Sequence, residues 1–199
     1  MQVLHIPASA PLYTNTFLLL ADNGNAIAID PAAAAQQYNE QLEKHGAKLT
    51  HIVCTHGHYD HVAAVTALRE KWHAAVHLHT ADRTGGRLFP LTQADCAIAD
   101  AESITEGDIT LQVITTPGHS AGSVCFLCGG LLFSGDTLFA GDIGRCDLDG
   151  GNYETMKASL QKLAGAVQQN AQVLPGHGEF STMDAEKANN PYLQASFGG

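Results

Sequence analysis

The sequence predicts a layered α/β protein in which sheet packs on sheet and helices lie outside. Three observations carry this reading. Each half of the chain opens on short strands and then alternates helices with strands. No repeat, low-complexity tract or linker interrupts the 199 residues, so residues 1–199 read as a single domain. Apolar residues make up 45% and charged residues 15%, a globular and not a disordered balance.

The elements follow in order. Val3–Ile6, Thr16–Leu20 and Ala26–Ile29 read as strands, the last two joined by the turn Asp22-Asn23-Gly24-Asn25. Ala32–His45 reads as a helix closed by Gly46. Leu49–Cys54 is a buried strand that runs directly into a cluster of histidines. Val62, Val65, Leu68 and Trp72 give His61–Trp72 helical spacing, and Ala74–Leu78 is a further strand. Gly85–Ala99 is irregular, a loop or short excursion over the site. In the second half Ile109–Thr115, Ser123–Leu127 and Leu131–Phe133 are β-like, with Gly129-Gly130 as a hairpin turn. Asn152–Leu163 is a helix, Gln172–Leu174 a strand, and Thr182–Ala188 a last helix with Asn190-Pro191 after it.

Composition narrows the partners. A formal net charge of −10 repels phosphate backbones and disfavours nucleic acid. Bound divalent cations would offset part of it and make a pocket that accepts anions. No apolar run is long enough to span a bilayer. The start Met1-Gln2-Val3-Leu4-His5 lacks the basic and apolar regions of a signal peptide, so a cytoplasmic location is expected. Five cysteines leave at least one unpaired, and without export reduced thiols are expected.

Histidine is the outlier, with eleven residues unevenly spread. The run Thr55-His56-Gly57-His58-Tyr59-Asp60-His61 places three imidazoles and a carboxylate at a strand-to-helix turn. Such ligands suit zinc, iron and related ions. In extended chain His56 and His58 face the same way and can clasp one ion. As the chain enters a helix, Asp60 and His61 swing toward a neighbouring point. Three further residues, His119, Asp136 and His177, each follow a β-run, and each has a glycine immediately before it. Strand ends of one layered fold converge on one edge.

On these residues the chain resembles the metallo-β-lactamase-fold superfamily, whose signature is His-x-His-x-Asp-His followed by a His, an Asp and a His on later loops. The resemblance covers essentially the whole chain and implies a four-layer αββα sandwich of two similar halves. It implies that His56, His58 and His119 bind one metal, that Asp60, His61 and His177 bind a second, and that Asp136 bridges them. Two ions about 3.5–4 Å apart share a hydroxide that serves as the nucleophile. One ion also polarises the substrate carbonyl or phosphoryl oxygen. Asp60 and Asp136 are then the catalytic carboxylates, with Asp60 orienting the hydroxide through its second oxygen.

Histidine at position 58, where the flavodiiron branch has Glu, favours hydrolysis over oxygen reduction. Asp136 departs from the true β-lactamases, which have a different residue there. The stretches Ser134–Phe139, Gly144-Arg145-Cys146-Asp147, Pro175–Gly178 and Asn189–Leu193 are similar to the glyoxalase II group, thioesterases acting on S-D-lactoylglutathione. The longer glyoxalase II enzymes carry a C-terminal helical domain that helps bind glutathione, and this chain stops too early for it. The expected substrate is therefore a small thioester or ester, with two divalent ions, zinc before iron or manganese. The resemblance leaves three other readings: a persulfide dioxygenase with a single iron held by two His and one Asp, a lactonase or phosphodiesterase, and a non-catalytic metal-binding module.

Two residues are substrate-binding candidates. Arg145 either binds a substrate carboxylate or forms a salt bridge with Asp142 or Asp147. Tyr59, between two ligands, either lines the pocket or packs. Cys125 and Cys128 have CxxC spacing but no second pair, and read as buried strand thiols. His77 and His79 read as structural or surface residues, and His5, His45, His51 and His73 have no motif context.

Overall fold

Apolar side chains on both faces of consecutive strands require cover on both sides. In β2 (Phe17–Leu20) and β3 (Asn25–Ile29), Phe17, Leu19, Ile27 and Ile29 point one way and Leu18, Leu20, Ala26 and Ala28 the other, and all eight are buried. A computed structural model, which describes residues 1–197, shows what covers them.

The first sheet holds β1 (Gln2–His5), β2, β3, β4 (Lys48–Val53), β5 (Ala75–Leu78) and β6 (Cys96–Ala97), in that order. β1, β2 and β3 pair antiparallel, and β3 through β6 run parallel. The second sheet runs β14 (Ser181–Thr182), β13 (Gln172–Pro175), β10 (Leu131–Gly135), β9 (Val124–Cys128), β8 (Ile109–Thr115) and β7 (Ser103–Glu106). Its one parallel pair is β10 with β13. Gly129 and Gly130 close the β9–β10 hairpin as expected, since Cys128 pairs with Leu131.

Between the sheets lies one core of Phe17, Leu19, Ile27, Ile29 and Val53 against Ile109, Leu111, Val113, Phe126 and Phe133. Outside the first sheet, α1 (Ala35–His45) and α3 (Val65–Trp72) bury Tyr38, Leu42, Val65 and Leu68. Outside the second, α4 (Tyr153–Ala166), α5 (Met183–Asn189) and α6 (Pro191–Phe197) bury Met156, Leu160, Leu163, Met183 and Leu193. The expected αββα layering is present. No helix among the described residues is long and apolar enough to cross a membrane.

Several elements differ from expectation, each for a local reason. The helix expected over His61–Trp72 is two, α2 (Tyr59–Val62) and α3. The hydrogen bond that would join them, Ala64 N–H to the Asp60 carbonyl, has lost both partners. Ala64 N–H donates to Pro31 O at 2.8 Å, and Asp60 O accepts the Thr14 hydroxyl at 2.7 Å. The helix expected from Ala32 starts at Ala35, because Ala34 at ψ 131° lies outside the helical region, and the Tyr38 hydroxyl takes up Ala33 N–H at 3.3 Å. Residues 85–95 are irregular as expected, and β6 then adds a two-residue edge. Asn190-Pro191 does not end the helical region but starts α6, with Asn190 Oδ1 accepting from Tyr192 and Leu193 N–H. The edge strand β7, the hairpin β11 (Leu138–Phe139) with β12 (Asp142–Ile143), and β14 were not expected, being short and weakly patterned.

Candidate metal centre

Loops that leave the ends of β3, β4, β8, β10 and β13 meet at one edge of the sandwich. Asp30, directly after β3, sits at φ 46°, a conformation that a short polar side chain tolerates. Its carboxylate accepts Thr55 N–H and the Thr55 hydroxyl, each at 2.6 Å, and the Nδ1 of His61 at 3.0 Å. Having given its proton to Asp30, the Thr55 hydroxyl accepts from His56 Nδ1 at 3.1 Å. His119 Nδ1 donates to the Arg145 carbonyl at 2.7 Å, and His177 Nδ1 faces the Tyr13 carbonyl at 3.3 Å. In four rings a hydrogen bond at Nδ1 therefore turns Nε2 inward.

The inward nitrogens converge with a carboxylate. His58 Nδ1 stands 2.8 Å from His119 Nε2, and His61 Nε2 stands 3.3 Å from His177 Nε2. Asp136 lies between, with Oδ1 3.3 Å from His61 Nε2 and Oδ2 3.4 Å from His119 Nε2 and 3.7 Å from His177 Nε2. Asp60 Oδ2 is 3.3 Å from His177 Nε2. The donor atoms of His56, His58 and His119 all lie within 4.8 Å of one another, as do those of Asp60, His61 and His177. Asp30, His56 and His61 also meet that distance, but Asp30 spends its oxygens on Thr55 and on the far side of the His61 ring. All seven residues expected as ligands are thus brought together.

The donor set fits divalent cations. His56 Nε2, His58 Nε2 and Asp136 Oδ1 are buried without a hydrogen-bond partner. A buried polar atom left unpaired costs about 1–3 kcal/mol. Two of these, His56 Nε2 and Asp136 Oδ1, face the other ligands and are atoms a cation would satisfy, whereas His58 turns its Nδ1 inward, and imidazole with carboxylate is a donor set for zinc or iron.

The electrostatics follow from burial and neighbours. Burial, reinforced by His61 and His119, drives His56 well below the ordinary imidazole range, and burial takes His58 down to about 4. Both rings are therefore neutral and able to ligate near neutral pH. Burial would lower His61, but Asp136 and Asp30 outweigh it and hold its pKa well above the ordinary value. Burial would likewise raise Asp136, and the surrounding His61, His119 and His177 hold it below the usual carboxylate range. Asp60 is held low against its burial by the hydrogen bond from His177.

Packing explains the three glycines before His119, Asp136 and His177. A Cβ on Gly118 would meet Met156 Cα at 2.5 Å. One on Gly135 would run into Thr55, and one on Gly176 would strike Asp136 Oδ1 and His61 Cε1.

The two substrate-binding candidates take different places. The Arg145 guanidinium forks onto Asp147, with Nε to Oδ1 at 2.7 Å and an Nη to Oδ2 at 2.8 Å, so a substrate carboxylate must compete with that pair. What Arg145 gives the centre is its backbone carbonyl, on His119. Tyr59 is 52% exposed beside the mouth, its N–H held by the Leu88 carbonyl at 2.9 Å. The neighbouring Phe89 ring packs 4.6 Å from the His58 ring, so the loop 85–95 does cover one side of the site.

Of the remaining histidines, His51 Nδ1 and His77 Nε2 meet at 2.9 Å and His79 caps a 3-10 turn. Cys125 and Cys128 are free and buried in β9. Asp30 and the buried Asp82 escaped the sequence reading. Asp82 carried no signal except indirectly, through the glycines at 57 and 122 that pack against it.

Comparison with known proteins gives the family of the chain. The model of the metallo-beta-lactamase superfamily matches residues 10–177. The probable metallo-hydrolase YqgX of Bacillus subtilis is 33% identical over 198 residues, 92% of this chain and 93% of that protein. Hydroxyacylglutathione hydrolase GloC of Haemophilus influenzae is 30% identical over 213 residues, 98% of this chain and 99% of that protein. Among solved structures, the BLEG-1 B3 metallo-beta-lactamase superposes with a TM-score of 0.87 at 33% identity, covering 96% of this chain and 99% of that one. ETHE1 from Myxococcus xanthus superposes with a TM-score of 0.83 at 28% identity, covering 98% and 85%. With a family model that spans most of the chain and relatives that match it nearly end to end, this protein belongs to the metallo-β-lactamase superfamily.

Proposed function

We propose that this metal-dependent hydrolase cleaves small thioesters, S-D-lactoylglutathione among them, at a two-metal centre. In this reading His56, His58 and His119 would hold one ion and Asp60, His61 and His177 the other, with Asp136 lying between the two groups. The observation that carries it is the meeting of two three-residue ligand groups around Asp136, whose buried Oδ1 has no hydrogen-bond partner. Zinc fits this set, and iron or manganese fits it too. When bound, the ions supply a hydroxide at neutral pH and polarise the carbonyl under attack.

The chain's own residues do the rest. Asp30 and Thr55 fix the rings of His61 and His56, the Arg145 carbonyl fixes His119, and the Tyr13 carbonyl faces His177. Asp60 and Asp136, both held ionised, orient the attacking oxygen and the ligand set. No serine or cysteine nucleophile is needed. The glutathione thioester is supported by the likeness to the hydroxyacylglutathione hydrolase GloC, which matches this chain over 99% of its own length. In this reading Tyr59, exposed between the ligands His58 and Asp60, contacts the substrate. Arg145 does so only by leaving Asp147.

Metal analysis of the purified chain joined to an assay on S-D-lactoylglutathione tests the reading. Two metals per chain and thioester hydrolysis are expected. A second reading, persulfide oxidation, is favoured by the likeness to ETHE1. One iron per chain with sulfite formed from glutathione persulfide would replace the hydrolase reading with that one. The same assay on a β-lactam separates thioester hydrolysis from the activity named for BLEG-1.

A further inference from the structure

We infer that Asp82 is a positioning residue that holds the His56, His58 and His119 group together across the two halves of the protein. This rests on the two-group metal reading above. Asp82 ends the 3-10 turn Thr80–Asp82 after β5, and its side chain is buried. Its Oδ2 accepts Gly57 N–H at 3.0 Å and the Ser120 hydroxyl at 2.7 Å. Its Oδ1 accepts Gly122 N–H at 2.8 Å.

Gly57 lies between His56 and His58, and Ser120 follows His119 directly. One carboxylate thus ties the backbone of two ligands from the first half to the loop bearing the third from the second half. None of its three hydrogen-bond donors belongs to the Asp60, His61 and His177 group. Ser123 completes the arrangement, since its Oγ accepts Ser120 N–H at 3.0 Å and lies 2.8 Å from Ser120 Oγ. The fit is close. A Cβ on Gly57 would lie 2.6 Å from Asp82 O, and one on Gly122 would lie 2.6 Å from Asp82 Oδ1. Only glycine lets both loops approach Asp82 this closely, and the hydrogen bonds hold them there.

Asp82→Asn keeps the volume but turns an NH₂ toward a backbone N–H, so one loop loses its acceptor. Partners that orient metal ligands typically change metal affinity about 10- to 100-fold. The loss should fall on one group only. Zinc alone is the probe, measured by competition with a chromophoric chelator and requiring no turnover. Where His177→Ala has dismantled the second group, Asp82→Asn should weaken the remaining zinc by about 10- to 100-fold. Where His119→Ala has dismantled the first, Asp82→Asn should leave the remaining affinity unchanged.

Equal loss in both backgrounds would mean a general structural role and overturn the inference, and so would no loss in either. If Asp82→Asn does not fold, Ser120→Ala, which removes one of the three hydrogen bonds, decides by the same pair of measurements. Its loss must again be confined to the His177→Ala background, or the inference falls. A wild-type chain that binds no zinc at the first group would defeat the metal reading itself. Normal wild-type uptake with indifferent variants would defeat only the role of Asp82.

Discussion

Asp30 serves the centre without needing to touch an ion. It fixes His61 directly and His56 through Thr55, so removing its charge disturbs one ring of each ligand group. Asp30→Asn should lower metal affinity or thioesterase kcat/KM by about 10- to 100-fold, read by chelator competition and initial rates. Gly176 carries a sharper prediction. A methyl group there strikes both Asp136 and His61, so Gly176→Ala should abolish stoichiometric metal uptake and cost about 1–3 kcal/mol in urea unfolding, as overpacking does. The residues that emerge from the sequence and those that do not differ in one respect. His56 to His61, His119, Asp136 and His177 all lie shortly after a β-run, where ligand type and glycine signal a site together. Asp30 and Asp82 stand alone in unremarkable turns, and their partners are 25 to 40 positions away, so only the folded chain reveals them.

Among the elements, periodicity located strands and helices but not where a helix must stop. Val62, Val65, Leu68 and Trp72 keep helical spacing through the break at Ala63-Ala64. The break exists because Pro31 and Thr14, distant in sequence, take the hydrogen-bonding groups of the missing turn. It frees α2 to point Asp60 and His61 into the centre. The C-terminal end teaches the same lesson in reverse, for Asn190-Pro191 is a start signal that resembles a stop. The buried Asn190 caps α6 and also donates through Nδ2 to Asp142 O at 3.0 Å and Glu186 Oε2 at 2.8 Å, joining α5, α6 and the β11–β12 hairpin. Asn190→Ala removes the cap and takes one donor from Asp142 O and one from Glu186 Oε2. A loss of about 2 kcal/mol in urea-unfolding free energy is expected, and a change under 0.5 kcal/mol would show that the junction does not depend on the cap.

For the whole molecule the question is what keeps two sheets in register so that loops from both meet at one edge. Apolar packing between them is not directional. Glu106, at the end of β7 in the second sheet, supplies direction. Its carboxylate accepts from Asn25 Nδ2 at 2.9 Å, Asn23 Nδ2 at 2.8 Å and the Thr50 hydroxyl at 2.7 Å, all from the first sheet and its β2–β3 turn. The hydrogen bonds from Asn25, Asn23 and Thr50 bring its pKa down to about 2. The folded state thus favours the ionised form more than the unfolded chain does, where a Glu titrates near about 4.3. The stabilisation is therefore complete above about pH 5, declines as pH falls below the unfolded value, and is gone once pH passes below about 2. Glu106→Gln removes the titration and keeps the shape. In metal-free protein, which excludes acid release of metal as a cause, wild type should exceed Glu106→Gln in melting temperature at pH 6. The gap should close steadily between about pH 5 and pH 2.5. A gap that stayed constant over that range would show that the carboxylate charge contributes nothing to the join.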